Sequence, residues 1–232
     1  MSKKERKGTA TNPVSLITLV DPSSPVAEQY RTIRTNLQFA ASLDRPLQTM
    51  VVTSSGPGEG KSTTSANLAI VFANSGSRVL LVDADMRKPT VFKTFQLSNS
   101  AGLSTVLSTN QTVVETAQET GIDNLQILTS GPKPPNPSEL LNSQRMTQII
   151  EEARNAYDIV IFDMPPIVAV TDAQIMASKV DGTLLVIREN VTKKESVAKA
   201  NELLNLVNAR VLGAVYNGAE QSKDQGYYYY SN

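Results

Sequence analysis

Gly-Pro-Gly-Glu-Gly-Lys-Ser-Thr, residues 56–63, constrains this 232-residue chain more than any other stretch. It follows the apolar run Met50-Val51-Val52 and precedes Ser65-Ala-Asn-Leu-Ala-Ile-Val-Phe72, which reads as a helix. Strand, glycine-rich turn and helix in that order are the context of a phosphate-binding loop. Glycine admits backbone conformations closed to other residues, so several N–H groups can converge on one phosphate. The helix that follows adds unpaired donors and the positive end of its dipole. Gly56, Gly58, Glu59, Gly60, Lys61, Ser62 and Thr63 are the expected nucleotide-binding residues. Lys61 is placed to reach the β- and γ-phosphates, and the Ser62 hydroxyl to ligate magnesium.

The rest of the chain extends that unit into an α/β fold. Strands are predicted at 47–54, 78–83, 125–128, 157–163, 182–188 and 210–217, with helices at 62–74, 137–155, 172–178 and 193–208. Asn136, Pro137 and Glu139 mark the start of the 137–155 helix, with a capping residue, a first-turn proline and a capping-box spacing. Near-continuous apolar strands between helices imply a doubly wound, mostly parallel sheet of the P-loop NTPase type, covered on both faces and forming a single domain. The expected division is a basic, partly disordered segment over 1–20, the folded domain over 21–217 and a flexible tyrosine-rich tail over 218–232.

Composition removes whole classes of chemistry. The chain has no cysteine and no histidine, which excludes disulfides, thiolate nucleophiles, zinc sites and imidazole bases. Proton acceptors are left to Asp, Glu, Lys or Tyr, and any metal to a hard, oxygen-ligated ion such as Mg²⁺. The formal charge of zero offers no global field for nucleic acid. The apolar runs are too short for a membrane span, and the basic Met1–Lys7 start lacks a secretory core, so a cytoplasmic enzyme is expected.

In doubly wound sheets the ligand sits beyond the carboxyl ends of the strands. Two carboxylate motifs fall there: Asp83-Ala-Asp85-Met-Arg87 after Val79–Val82, and Asp163-Met-Pro-Pro166 after Ile159–Phe162. With a strand period of two, Asp83 and Asp85 project to the same side. Crowded carboxylates repel unless a cation lies among them. An Asp ending a strand in this fold matches the Walker B carboxylate that holds Mg²⁺. Arg87 has two open partners, a carboxylate or a phosphate.

These three motifs, in this order, resemble the bacterial tyrosine kinase family, which carries an Asp-x-Asp-x-Arg motif between Walker A and an Asp-x-x-Pro Walker B. Glu28-Gln-Tyr-Arg31-Thr-Ile-Arg34 is similar to the family's subunit-interface pattern, and 131–141 to its linker. The resemblance covers roughly residues 20–232. It implies an ATP- and Mg²⁺-dependent protein-tyrosine kinase of capsule or exopolysaccharide synthesis, with a separate membrane-spanning adaptor that recruits it to the inner face of the membrane, and other protein substrates on tyrosine. Lys61, Asp83, Asp85 and Asp163 become the catalytic set, with Asp83 as proton acceptor and Ser62, Asp85 and Asp163 as metal ligands. Asn217, ending Val215-Tyr-Asn-Gly218, matches the position at which related ATPases contact adenine.

Helical spacing from Pro25 places Val26, Tyr30, Ile33 and Leu37 on one apolar stripe, with Glu28, Arg31 and Arg34 off it. Such a charged face is ordinarily a solvated one; the resemblance implies a contact between protomers of a ring, commonly an octamer. Four consecutive tyrosines, Tyr227, Tyr228, Tyr229 and Tyr230, lie in a polar stretch with little means to pack. The resemblance makes all four phosphate acceptors, delivered to a neighbour's site. The alternative reading is a nucleotide-switch ATPase of the cell-division or partition type. Those proteins carry a lysine where this chain has Gly56, and they lack such a tail.

Overall fold

The computed structural model describes residues 14–40 and 46–219. Seven strands form one sheet: β1 Thr49–Ser54, β2 Val79–Asp83, β3 Gln118–Glu119, β4 Leu125–Leu128, β5 Ile159–Asp163, β6 Gly182–Arg188 and β7 Val211–Asn217. Their spatial order is β3-β4-β2-β5-β1-β6-β7. All neighbours pair in parallel except the two-residue β3, which runs antiparallel to β4 at one edge. The six longer strands match the expected ones. β3 is an addition to them, because two residues carry no period.

The helices among the described residues are α1 Ile17–Val20, α2 Pro25–Ala40, α3 Lys61–Ala73, α4 Val91–Thr94, α5 Leu103–Ser108, α6 Val113–Thr116, α7 Pro137–Asn142, α8 Gln144–Ala156, α9 Asp172–Ala177 and α10 Lys194–Leu206. The expected 137–155 helix is broken at Ser143, whose extended backbone (ψ 160°) ends α7. Its hydroxyl then accepts from the Met146 N–H and caps α8. At the start of α7, Asn136 makes no side-chain cap; instead its Nδ2 donates to Glu139 at 2.8 Å. Proline does occupy the first turn.

Alternation along the strands builds two cores, one on each face of the sheet. Met50, Val52, Val79, Leu81, Ile159 and Ile161 pack toward α2 and α3. Val51, Leu80, Val82, Val160 and Phe162 pack toward α5, α8 and α9 on the other face. α3 is buried from Thr64 through Ala73 because residues 15–40 cover its outer side. Thr18 donates from both its N–H and its hydroxyl to Asn67 Oδ1, and Asn67 Nδ2 donates to the Ser15 carbonyl. Residues 14–20 are thus tied to α3, so the folded domain starts before the expected boundary at residue 21.

α2 corrects the expected stripe. Ala27, Tyr30 and Leu37 are buried and Ile33 packs against them, while Val26 is exposed. Arg34 shares the face of Ala27, Tyr30 and Leu37, and its Nη1 donates to the Val71 carbonyl in the last turn of α3 at 3.0 Å. It belongs to the packed face and not to the solvated one. Glu28 and Arg31 do lie on the outer surface, paired with each other.

The described residues end at 219, two positions past β7. The predicted acceptors Tyr227, Tyr228, Tyr229 and Tyr230 all lie outside them.

Candidate active site

Strand parity brings the predicted catalytic carboxylates together. Asp83 follows Val79 and Leu81, and Asp163 follows Ile159 and Ile161, on the sheet face that α3 covers. The two aspartates are also register partners across β2 and β5. Both are fully buried. Lys61, the first residue of α3, lies among them, and its Nζ donates to Asp85 Oδ2 at 3.0 Å and to Ser62 Oγ at 3.3 Å. Asp85 lies just past the end of β2, with its Oδ1 accepting from the Lys88 N–H at 3.0 Å. Burial opposes the Lys61 charge, but Asp163, Asp85 and Asp83 outweigh it and raise the pKa above the ordinary lysine value.

Asp83 and Asp163 each keep one oxygen without a hydrogen-bond partner. Asp83 Oδ2 accepts from the N–H groups of Thr90 and Val91, at 3.1 and 3.0 Å, and Asp163 Oδ1 accepts from Ser65 Oγ at 3.0 Å. Asp83 Oδ1 and Asp163 Oδ2 have none. A buried acceptor left unmatched costs roughly 1–3 kcal/mol, so the pair has the character of a site that a cation completes. Among the described residues no three His, Cys, Asp or Glu side chains close around a metal by themselves. A hard ion such as Mg²⁺ suits that geometry, since it keeps several waters and takes few carboxylates and phosphate oxygens.

Burial first, and then the charge of Asp163, push the Asp83 pKa up to about 8. The folded state therefore holds a proton on Asp83 that the unfolded chain has lost above about pH 4. The stability contributed by Asp83 consequently declines as pH rises from about 4 to 8. Asp83→Asn is expected to melt higher than the parent at pH 8 when nucleotide-free, by about 2–4 °C for each kcal/mol gained. Differential scanning calorimetry with chelator checks this; equal or lower melting of the variant contradicts it.

The phosphate loop is braced from inside and outside. Glu59 turns inward, accepting from the Ser55 N–H at 3.0 Å and the Ser55 hydroxyl at 2.8 Å. Its side chain shapes the loop, leaving only its backbone to face a ligand. Ser55, where the general motif has glycine, is thereby given a task. From outside, Arg188 Nη1 at the end of β6 donates to the Gly58 carbonyl at 2.8 Å. Asn217 Nδ2 at the end of β7 donates to the Glu59 carbonyl at 3.0 Å. Gly60 has φ +99°, and a Cβ there would lie 2.0 Å from Asn217 Nδ2. Asn217 therefore rests on the phosphate loop itself. Arg188, Ser65 and Ser55 are additions to the residues expected from sequence. Arg188 ends a strand at the ligand edge, a position that the rule for doubly wound sheets marks for inspection.

Arg87 is settled by the structure. Its Nε and Nη2 fork onto Asp172 at 2.8 and 2.9 Å, and the charge of Asp85 also reaches the guanidinium.

The site can be set beside known proteins. A family described as AAA domain matches residues 47–211. Tyrosine-protein kinase YwqD of Bacillus subtilis is 51% identical over 216 residues, spanning 93% of this chain and 91% of that protein. The chain belongs to the bacterial tyrosine kinase family. Solved structures agree. The chimerical protein CapA2B2 superposes with TM-score 0.83 at 41% identity, covering 87% of this chain and 88% of that one. The kinase domain of Escherichia coli tyrosine kinase ETK gives 0.82 at 32% identity, covering 95% and 87%.

The family's three motifs thus meet at Lys61 in this bacterial tyrosine kinase. Of the residues predicted for a subunit contact, Glu28 and Arg31 lie on the outer surface and Arg34 is bonded within the fold. Among the described residues, no helix is long and apolar enough to cross a membrane.

Proposed function

We propose that this tyrosine kinase transfers the γ-phosphoryl group of ATP to Tyr227, Tyr228, Tyr229 and Tyr230 of a neighbouring copy, and thereby regulates capsular or exopolysaccharide synthesis. The observation that carries the proposal is the convergence on Lys61 of Asp83, Asp85 and Asp163, two of them with an unpartnered buried oxygen. Phosphoryl transfer asks little covalent work of a protein, and its main demand is positioned positive charge. Lys61 and the amides of 56–63 meet that demand at the β- and γ-phosphates. Mg²⁺, when bound with ATP, neutralises phosphate charge, and Ser62, Asp85 and Asp163 are the residues that would hold it. Asp83 Oδ1, free of hydrogen bonds, accepts the phenol proton as the Tyr–O–P bond forms and the γ-phosphoryl group leaves ADP. Asp83 takes this role in its deprotonated form, which the Lys61 charge favours and which bound Mg²⁺ would favour further.

The adaptor is a separate membrane protein whose cytoplasmic segment activates the kinase. Glu28 and Arg31 serve a ring contact. Because Arg34 holds α2 onto α3, the clean test is Glu28→Ala with Arg31→Ala: light scattering should report the mass of a monomer, and an undiminished assembly contradicts the contact. Several phosphotyrosines at about −1.5 to −2 charges each repel within one tail and loosen the ring.

Incubation with Mg-ATP and the adaptor's cytoplasmic segment, followed by peptide mass spectrometry, tests the activity. Phosphotyrosine at 227–230 is expected. ATP hydrolysis without phosphotyrosine would return the chain to the nucleotide-switch reading.

A further inference from the structure

Arg87, Asp172 and Ser138 form a closed triangle outside the phosphate site. Asp172, the first residue of α9, has no exposed surface. Its Oδ2 accepts from Arg87 Nε at 2.8 Å, and its Oδ1 from Arg87 Nη2 at 2.9 Å and from Ser138 Oγ at 2.6 Å. Ser138 Oγ in turn accepts from Arg87 Nη2 at 2.9 Å. All three side chains are in hydrogen-bonding contact with one another, and Lys61 bonds elsewhere, to Asp85 and Ser62.

The triangle joins three separate stretches of chain. Arg87 ends the Asp83–Arg87 loop. Ser138 is the second residue of α7, just after the proline-rich 131–137 linker. Asp172 closes the segment that starts at Asp163. The near end of that last segment is tied to β1: the Met164 and Ile167 N–H groups donate to the carbonyls of Val52 and Ser54, and Thr53 Oγ1 donates to that of Pro165. Its far end is tied to Arg87 through Asp172. The loop of Asp85 and the loop of Asp163 are therefore braced against each other through Arg87 and Asp172.

A forked guanidinium–carboxylate pair fixes two planes as well as a distance, which a lysine ammonium cannot do. We propose that Arg87, Asp172 and Ser138 are positioning residues that set the separation of Asp85 and Asp163 for phosphoryl transfer. The proposal rests on the kinase reading above. It concerns the transfer step and not ATP capture, because the braces on Gly58 and Glu59 come from Arg188 and Asn217.

The test uses the full chain in the tail-phosphorylation assay, with Arg87→Lys, Asp172→Asn, their combination, and Ser138→Ala, each at a temperature where circular dichroism shows it folded. Misplacement of about 1 Å costs up to ~10²-fold in such reactions. Arg87→Lys and Asp172→Asn should each lower kcat by about 10–100-fold, the pair no more than either alone, and fluorescent ATP-analogue affinity should stay within about threefold. Half-maximal Mg²⁺ concentration should rise in the same variants. Ser138→Ala, which removes one hydroxyl, should show the same pattern at smaller size and decides the matter if a charged variant fails to fold. Parental kcat in Ser138→Ala and in the folded charged variants, or losses confined to ATP affinity, overturns the proposal. Absent phosphotyrosine in the parent protein overturns the kinase reading instead.

Discussion

Lys61→Met is expected to lose at least about 10²–10³ in phosphorylation rate, the loss typical of removing one preorganised charge-stabilising donor. The effect should exceed that figure, because Lys61 has two tasks. It faces the phosphates, and it is the cation among Asp83, Asp85 and Asp163. Breaking a buried ion pair by removing one partner costs about 3–5 kcal/mol, so the nucleotide-free variant should also melt lower. Lowering pH should partly restore its stability, since protonated aspartates need no counter-charge. Phosphotyrosine blots with calorimetry at pH 6 and pH 8 check both halves. A variant within tenfold of the parent rate contradicts the role given to Lys61.

Gly60→Ala is expected to raise the dissociation constant for ATP at least about tenfold. Two costs add at this position. A left-handed backbone is strained by roughly 1–2 kcal/mol for residues with a Cβ, and φ here is +99°. The new methyl would also lie 2.0 Å from Asn217 Nδ2 and 3.1 Å from its Cγ, expelling the amide that holds the Glu59 carbonyl. Asn217→Gly in the same chain removes the collision but not the strain, so the double variant should recover part of the loss. Titration of a fluorescent ATP analogue measures both. Unaltered affinity in Gly60→Ala would show that the brace does not shape the loop.

Much of this site is legible in the sequence because its chemistry is concentrated in short, ordered motifs. The two aspartate motifs are read at strand ends, where a doubly wound sheet gathers its ligand, and the structure places Asp83, Asp85 and Asp163 around Lys61. What escapes are contacts between residues distant in sequence. The Arg34 bond to Val71 spans 37 residues, and helical spacing assigns that arginine to the wrong face. The same holds for the Arg87 fork onto Asp172, 85 residues away, which no local pattern encodes. Short elements are lost for another reason: α4 and α6 have four residues each, barely one turn, too few to display a 3.6-residue period. The break at Ser143 is hidden because Gln144–Ala156 continues a helical pattern across a cap that only the backbone reveals.

Transfer from this site to the tail of another copy is tested most directly by mixing. A full-length Lys61→Met chain, inert as donor, is combined with Mg-ATP, the adaptor's cytoplasmic segment and a parental chain ending at Ala219, which has no tail. Mass spectrometry of the Lys61→Met chain should find phosphotyrosine among Tyr227, Tyr228, Tyr229 and Tyr230. A Lys61→Met tail that stays unmodified, while the parental full-length chain labels its own, would contradict transfer between copies.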